Sequence, residues 1–169
     1  MKKNLTLTGM MGVGKSTVGK TLSNRLLMRF SDIDKIIENT LKMSIQEIFE
    51  KKGELFFRKI EEKITLQETK GKNVVISLGG GAFMNPKIRK SILLNSKSFW
   101  LDLNVKLLEK RLIKLKNRPL LKNKNLGTSL SEIYNERKSI YATANYRIDC
   151  EKLNVNLITN KIIKLYANS

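Results

Sequence analysis

The nine residues Gly9-Met10-Met11-Gly12-Val13-Gly14-Lys15-Ser16-Thr17 constrain this chain more than any other feature. They follow a short β-forming run, residues 4–8, and lead into a segment with Val18, Leu22 and Leu26 at spacings of four. The pattern therefore sits where a strand ends and an amphipathic helix begins. Its spacing, GxxxxGK[ST], is that of a P-loop. Glycines let the backbone curl so that successive N–H groups face phosphate oxygens, and the helix N-terminus adds its positive end. Gly12, Val13, Gly14, Lys15, Ser16 and Thr17 are the expected phosphate contacts. Lys15 is expected to reach the β and γ phosphates, and the Ser16 hydroxyl to ligate Mg²⁺.

Composition removes several chemistries. The 169 residues include no histidine and one cysteine, Cys150. The chain thus holds no Ser-His-Asp triad, no histidine metal site, no intrachain disulfide and no thiolate zinc cage of its own. No apolar run reaches the ~18 residues of a membrane span, and the first residues do not read as a signal peptide, so a cytoplasmic location is expected. The net charge of +18 suggests anionic partners. Yet lysines, 25 against 8 arginines, occur in ones and twos along the whole sequence. That scatter reads as solvated faces rather than a nucleic-acid patch.

One α/β domain is expected over residues 1–169: no linker or repeat divides the chain, and β-rich runs alternate with segments of helical period. Strands are expected at 4–8, 30–32, 74–78, 98–103 and 146–150. Helices are expected at 15–27, 33–41, 45–51, 54–69, 86–94, 105–115 and 130–144, with a last one marked by Val155, Ile158, Ile162 and Leu165. Residues 116–128, rich in Lys and Asn and without periodicity, read as a mobile loop.

Three further groups carry chemistry. Asp32 and Asp34 follow the second strand, and on an extended segment residues two apart face one side. One carboxylate would support Mg²⁺ through water and the other accept a hydrogen bond from an attacking hydroxyl; a helix N-cap at Asp32 is the plainer reading. Gly79-Gly80-Gly81 costs backbone entropy without adding packing, which suits close approach of a ligand to bare N–H groups. Arginine, scarce here, suits bidentate recognition of carboxylate or phosphate at Arg58, Arg118 and Arg137, with Arg111 on the helix entering the loop. No Asn-Lys-x-Asp guanine reader is present. A small phosphotransferase is favoured.

Taken together these motifs closely resemble shikimate kinase. The matching residues are Gly9 to Thr17, Asp32-Ile33-Asp34, Ile45-Gln46-Glu47-Ile48-Phe49, Gly53-Glu54, Phe57-Arg58-Lys59-Ile60-Glu61, Gly79-Gly80-Gly81, Arg118-Pro119-Leu120-Leu121, and Glu136-Arg137 followed by Tyr141. The resemblance implies a three-layer P-loop kinase fold with a five-stranded parallel sheet, a shikimate-binding region at 33–61 and a lid at 116–128. It implies an ATP- and Mg²⁺-dependent enzyme of aromatic amino-acid biosynthesis that phosphorylates the 3-hydroxyl of shikimate, monomeric and independent of nucleic acid and membrane. Lys15, Asp34 and Arg118 are implied as catalytic. Arg111 and Arg118 join the P-loop on ATP; Asp34, Arg58, Gly79, Gly80, Gly81 and Arg137 hold shikimate; Ser16 and Asp32 serve the metal. The rivals are a gluconate or nucleoside-monophosphate kinase and a nucleic-acid-binding module.

Overall fold

The three central strands of the sheet are buried because helices cover both of its faces. The computed structural model describes residues 3–114 and 125–168. Strand β1 (Asn4–Thr8) is buried along its whole length, as a central parallel strand must be. It pairs in parallel with β3 (Val74–Ser77) on one side and β4 (Ser96–Asp102) on the other. With β2 (Arg29–Asp32) and β5 (Tyr146–Asp149) at the edges, the order is β2-β3-β1-β4-β5. The five-stranded parallel sheet read from the sequence is present.

The pleat of β1 puts Leu5 and Leu7 on one face and Asn4, Thr6 and Thr8 on the other. Helix α1 (Lys15–Leu26) packs on the leucine face, where a Cβ at Gly19 would meet Phe30 at 2.6 Å and Leu7 at 3.4 Å. Helix α7 (Val155–Ala167) lies beside it, held in part by hydrogen bonds from Arg25 to the side chains of Asn156 and Asn160. The opposite face carries α3 (Ile45–Thr69) and α4 (Pro86–Asn95). Asn4 Nδ2 donates to the Thr69 and Gly71 carbonyls there, and the Thr69 and Ser91 hydroxyls meet at 2.7 Å. The result is a three-layer αβα arrangement with its core on both sides of β1, β3 and β4.

Local sequence explains the helix starts. Helix α2 (Ile33–Leu41) begins directly after β2 with Asp32 as its N-cap, accepting from Lys35 N at 3.4 Å. Helix α3 opens on a reciprocal Ser44/Glu47 capping box. Hydrogen bonds from Ser44 backbone and side chain, with Lys51 nearby, hold the Glu47 pKa at about 2. Two helices were expected where α3 lies; the run is continuous except at Gly53, whose φ of 80° and ψ of 167° break it. Asn85 caps α4 with Pro86 at its first position.

Beyond one-residue shifts, four further features differ from expectation. A 3₁₀ turn, Ala82–Met84, follows the three glycines. Strand β4 starts at Ser96, before the expected residue 98, because α4 runs straight into it and Ser96 already pairs with Asn4. Helix α6 (Leu126–Tyr141) starts within the stretch read as loop: Leu126 packs on the core, while Gly127, Thr128, Ser129 and Ser131 hide the period. It ends at Tyr141 rather than 144, since Thr143 N and Ala144 N bond back to Ile140 O and Tyr141 O and turn the chain toward β5. Of the loop expected at 116–128, residues 116–124, including Arg118, lie outside the described residues. Helix α5 (Val105–Lys114) precedes them. Among the described residues no helix is long and apolar enough to cross a membrane.

Candidate active site

In open parallel sheets ligands bind at the C-terminal ends of the strands, where the connections diverge. Here that crevice lies between the loop after β1 and the turn after β3. The β1 loop enters through Gly9, whose φ of 135° suits only glycine and where a Cβ would lie 2.4 Å from the Leu101 carbonyl oxygen of β4. Gly14, at φ 103°, is the N-cap of α1 and leaves the first turn of the helix without a side-chain cap. The loop thus ends on bare N–H groups. Lys15 is 8% exposed, and its Nζ donates to the carbonyls of Gly9 (2.8 Å) and Met10 (2.9 Å), spanning the curl. Ser16 and Thr17 are exposed on the first turn. From α5, Arg111 Nη1 donates to Val13 O at 3.1 Å, so the helix that leads into residues 115–124 is tied to the phosphate loop.

The second wall is built around Gly79, Gly80 and Gly81. A Cβ at Gly79 would sit 2.8 Å from Asp34 Oδ1 and 2.8 Å from Glu61 Oε1; at Gly80, 3.2 Å from Met11 N; at Gly81, 2.8 Å from Arg58 Nη1 and 2.9 Å from Nη2. Three bare Cα positions therefore bring Asp34 of α2, Arg58 and Glu61 of α3, and the phosphate loop onto one turn. Helix α6 completes it. Arg137 and Tyr141, four apart and so on one helix face, both donate to Gly80 O, at 3.1 and 2.5 Å.

Charge is concentrated here around one buried carboxylate, Glu61, with half-buried and exposed partners. Arg58 Nη1 donates to Glu61 Oε2 at 2.8 Å, while its Nε and Nη2 donate to Glu54 Oε1 at 3.2 and 3.1 Å. Burial works against the Arg58 charge, but Glu61 and Glu54 outweigh it and raise its pKa. Glu61 is 1% exposed, and its Oε1 has no hydrogen-bond partner among the described residues. Burial raises its pKa; Arg58 opposes this, Asp34 adds to it and Arg137 opposes it. Tyr141 is pushed up mainly by burial.

Of the residues read from the sequence, Lys15 lies in the phosphate loop with Arg111 of α5 bonded to it, and Asp34, Arg58, Gly79, Gly80, Gly81 and Arg137 gather at the turn beside it; Arg118 lies outside the described residues. One expectation needs correction, while the plainer reading of Asp32 as a helix N-cap holds. Asp32 and Asp34 do not share a face of an extended segment; the chain turns helical at Ile33 because Asp32 caps α2, which puts Asp34 in its first turn. Cys150 is buried with its thiol pushed up to about 12, chiefly by burial, so it is packing material. Sequence reading passed over Glu61 and Tyr141 as site residues. Both had a signal: an acid three positions after Arg58, and a tyrosine four after Arg137, each on the same helix face as the arginine.

Comparison with known proteins decides which group of P-loop enzymes this is. The family model for shikimate kinase matches residues 11–167. The chain belongs to the shikimate kinase family. The shikimate kinase of Bartonella henselae is 37% identical over 160 residues, covering 95% of this chain and 76% of that one. That of a Sulfurihydrogenibium species is 39% identical over 161 residues, covering 95% and 96%. The solved structure of the Acinetobacter baumannii shikimate kinase in complex with shikimate superposes with a TM-score of 0.94 at 32% identity, covering 99% of this chain and 94% of that one. Shikimate kinases are phosphotransferases that use ATP and Mg²⁺.

The residues present fit both groups. The cradle from Gly9 to Thr17 has the curled backbone, bare N–H terminus and buried lysine that a triphosphate needs. Among the described residues no group of three His, Cys, Asp or Glu forms a metal cage. The exposed hydroxyl of Ser16 and the carboxylate of Asp32 are oxygen donors of the kind Mg²⁺ takes, and so small a protein set suits an ion that keeps much of its hydration.

Proposed function

We propose that this protein transfers the γ-phosphoryl group of ATP to the 3-hydroxyl of shikimate, giving shikimate 3-phosphate and ADP. One observation carries the reading: Asp34, Arg58, Glu61 and Arg137 converge on the Gly79–81 turn, and that turn abuts Met11 of the phosphate loop. A small hydroxylated acid held by this wall faces a bound nucleotide across the crevice.

In this proposal Arg58 and Arg137 grip the shikimate carboxylate, and the region 33–61 forms its binding site. The Asp34 carboxylate accepts a hydrogen bond from the reacting hydroxyl and takes its proton as oxygen attacks phosphorus. Phosphoryl transfer passes through a loose transition state, so orientation counts for more than base strength. The amides of Gly12 to Thr17 cradle the phosphates, and Lys15 exchanges a carbonyl of the loop for a γ-phosphate oxygen. Arg111, resting on Val13, and Arg118 complete the ATP contacts, with the segment between α5 and α6 as the lid. Ser16 and, through water, Asp32 hold Mg²⁺, which when bound neutralises charge developing on the phosphates. The enzyme is monomeric and cytoplasmic and acts on a small molecule without nucleic acid or membrane.

A coupled ADP-release assay tests this. Turnover should require shikimate, ATP and Mg²⁺ together. Turnover with gluconate or a nucleoside monophosphate in place of shikimate, or none at all in folded protein, would refute the reading.

A further inference from the structure

Arg58 is claimed by two carboxylates of different character. Glu61 is buried, its side chain 2% exposed, and accepts from Nη1 at 2.8 Å. Glu54 is exposed, its side chain 63% accessible, and its single Oε1 takes both Nε and Nη2. A guanidinium offers two edges for parallel hydrogen bonds to a carboxylate. The Nη1/Nη2 edge of Arg58 is abutted by Gly81, where a Cβ would lie 2.8 and 2.9 Å from the two nitrogens. That leaves the Nε/Nη2 edge, which Glu54 covers.

We propose that Glu54 is a placeholder for the substrate's carboxylate: it holds the Nε/Nη2 edge of Arg58 until an incoming carboxylate takes the same two donors and sends Glu54 into solvent. The inference rests on the reading of Arg58 as a carboxylate ligand given above. Glu61 then acts as the fixed support of the guanidinium and Glu54 as its exchangeable partner. The exchange is inexpensive, because an exposed pair four residues apart on a helix is weak, and Glu54 returns to water when released. The arrangement also selects for acids. A neutral ligand offers nothing in return for displacing Glu54, whereas a carboxylate replaces one charge-assisted pair by another.

Glu54 and Glu61 therefore make opposite predictions on one arginine. With Glu54→Gln, the KM for shikimate should fall by about twofold, the size of a surface i,i+4 ion pair, while kcat stays within the error of the wild type. With Glu61→Gln, which weakens the buried support, KM should rise by about tenfold. A Glu54 that merely propped Arg58 in place would raise KM on removal, so the sign of the change decides the matter. Both variants are assayed by coupled ADP release at saturating ATP, and shikimate binding is measured by titration calorimetry alongside. Wild-type binding with an unchanged or raised KM and Kd in Glu54→Gln overturns the placeholder and leaves the proposed function standing. Binding with opposite shifts in the two variants but no phosphoryl transfer upholds the placeholder and refutes the reaction; absence of wild-type binding refutes both.

Discussion

Replacing Gly79 by alanine strikes the site without touching the fold that carries it. The Gly79 backbone is not in the left-handed region, so alanine fits the chain itself; the new methyl carbon lies 2.8 Å from Asp34 Oδ1 and 2.8 Å from Glu61 Oε1. Ordinary contact begins near 3.4 Å, so both carboxylates must retreat by about 0.6 Å. Reacting groups must be held to within ~0.5 Å, and a 1 Å error costs on the order of 10²-fold. We therefore expect kcat to fall by about 10- to 30-fold, or ~1.4–2 kcal/mol in the barrier. The fold should lose no more than the ~1–3 kcal/mol typical of an extra methyl in a packed site. Coupled ADP release at saturating ATP and shikimate gives kcat, and urea unfolding gives stability. Gly71→Ala is the control: its added carbon meets Glu68 O at 3.1 Å, remote from the crevice, and turnover should not change. A Gly79→Ala enzyme with kcat within twofold of wild type would refute the convergence of Asp34 and Glu61 on this turn.

Lys15→Ala removes the cation that spans the loop curl, and turnover should drop by at least ~10²-fold with an unchanged circular dichroism spectrum; near-normal turnover would exclude a phosphate role. Arg137→Ala frees the Gly80 carbonyl of one of its two donors and should raise the KM for shikimate by about tenfold, read in the same assay. Glu61 has its pKa raised by burial, so it favours the folded state below its ordinary value of 4.5 and loses that contribution as pH rises through its higher folded value. Urea unfolding of wild type and Glu61→Gln across pH 4 to 8 should then show the wild type gaining on the variant as pH falls; a constant difference would contradict the buried-acid assignment. Cys150, with its thiol near 12, should stay inert to Ellman's reagent at pH 8 and react once the chain is unfolded; prompt labelling of native protein would place it at the surface.

What could be read in advance follows from how local each signal is. The loop from Gly9 to Thr17 is contiguous, and its chemistry and its place between β1 and α1 were both legible in order. Strand β1 was legible from the β-forming run Asn4-Leu5-Thr6-Leu7-Thr8 set directly before the loop, but its alternation did not show that both of its faces are covered. The break at Gly53 was marked by the glycine itself. The N-terminal turn of α6 was not legible: its stabilising contact, Leu126 on the core, lies across the fold, and four small polar residues mask the period. For Asp32 and Asp34 two readings stood open, an extended pair and an N-cap at Asp32; the structure takes the second, because the choice depends on where the helix begins, which a two-residue spacing does not reveal. Glu61 escaped notice because burial gives it meaning. An acid on the helix surface is ordinary; one at 1% exposure with an unpartnered oxygen is not.

The doubly held carbonyl of Gly80 has a mechanical corollary. A peptide unit is rigid and trans, so its carbonyl and the following N–H point in opposite directions. By pinning Gly80 O to Arg137 and Tyr141, α6 also sets the bearing of the Gly81 amide, aimed away from that helix. Residues far apart along the chain thus work as a crank on one backbone donor: any roll of α6 about its axis is transmitted as a rotation of that peptide plane.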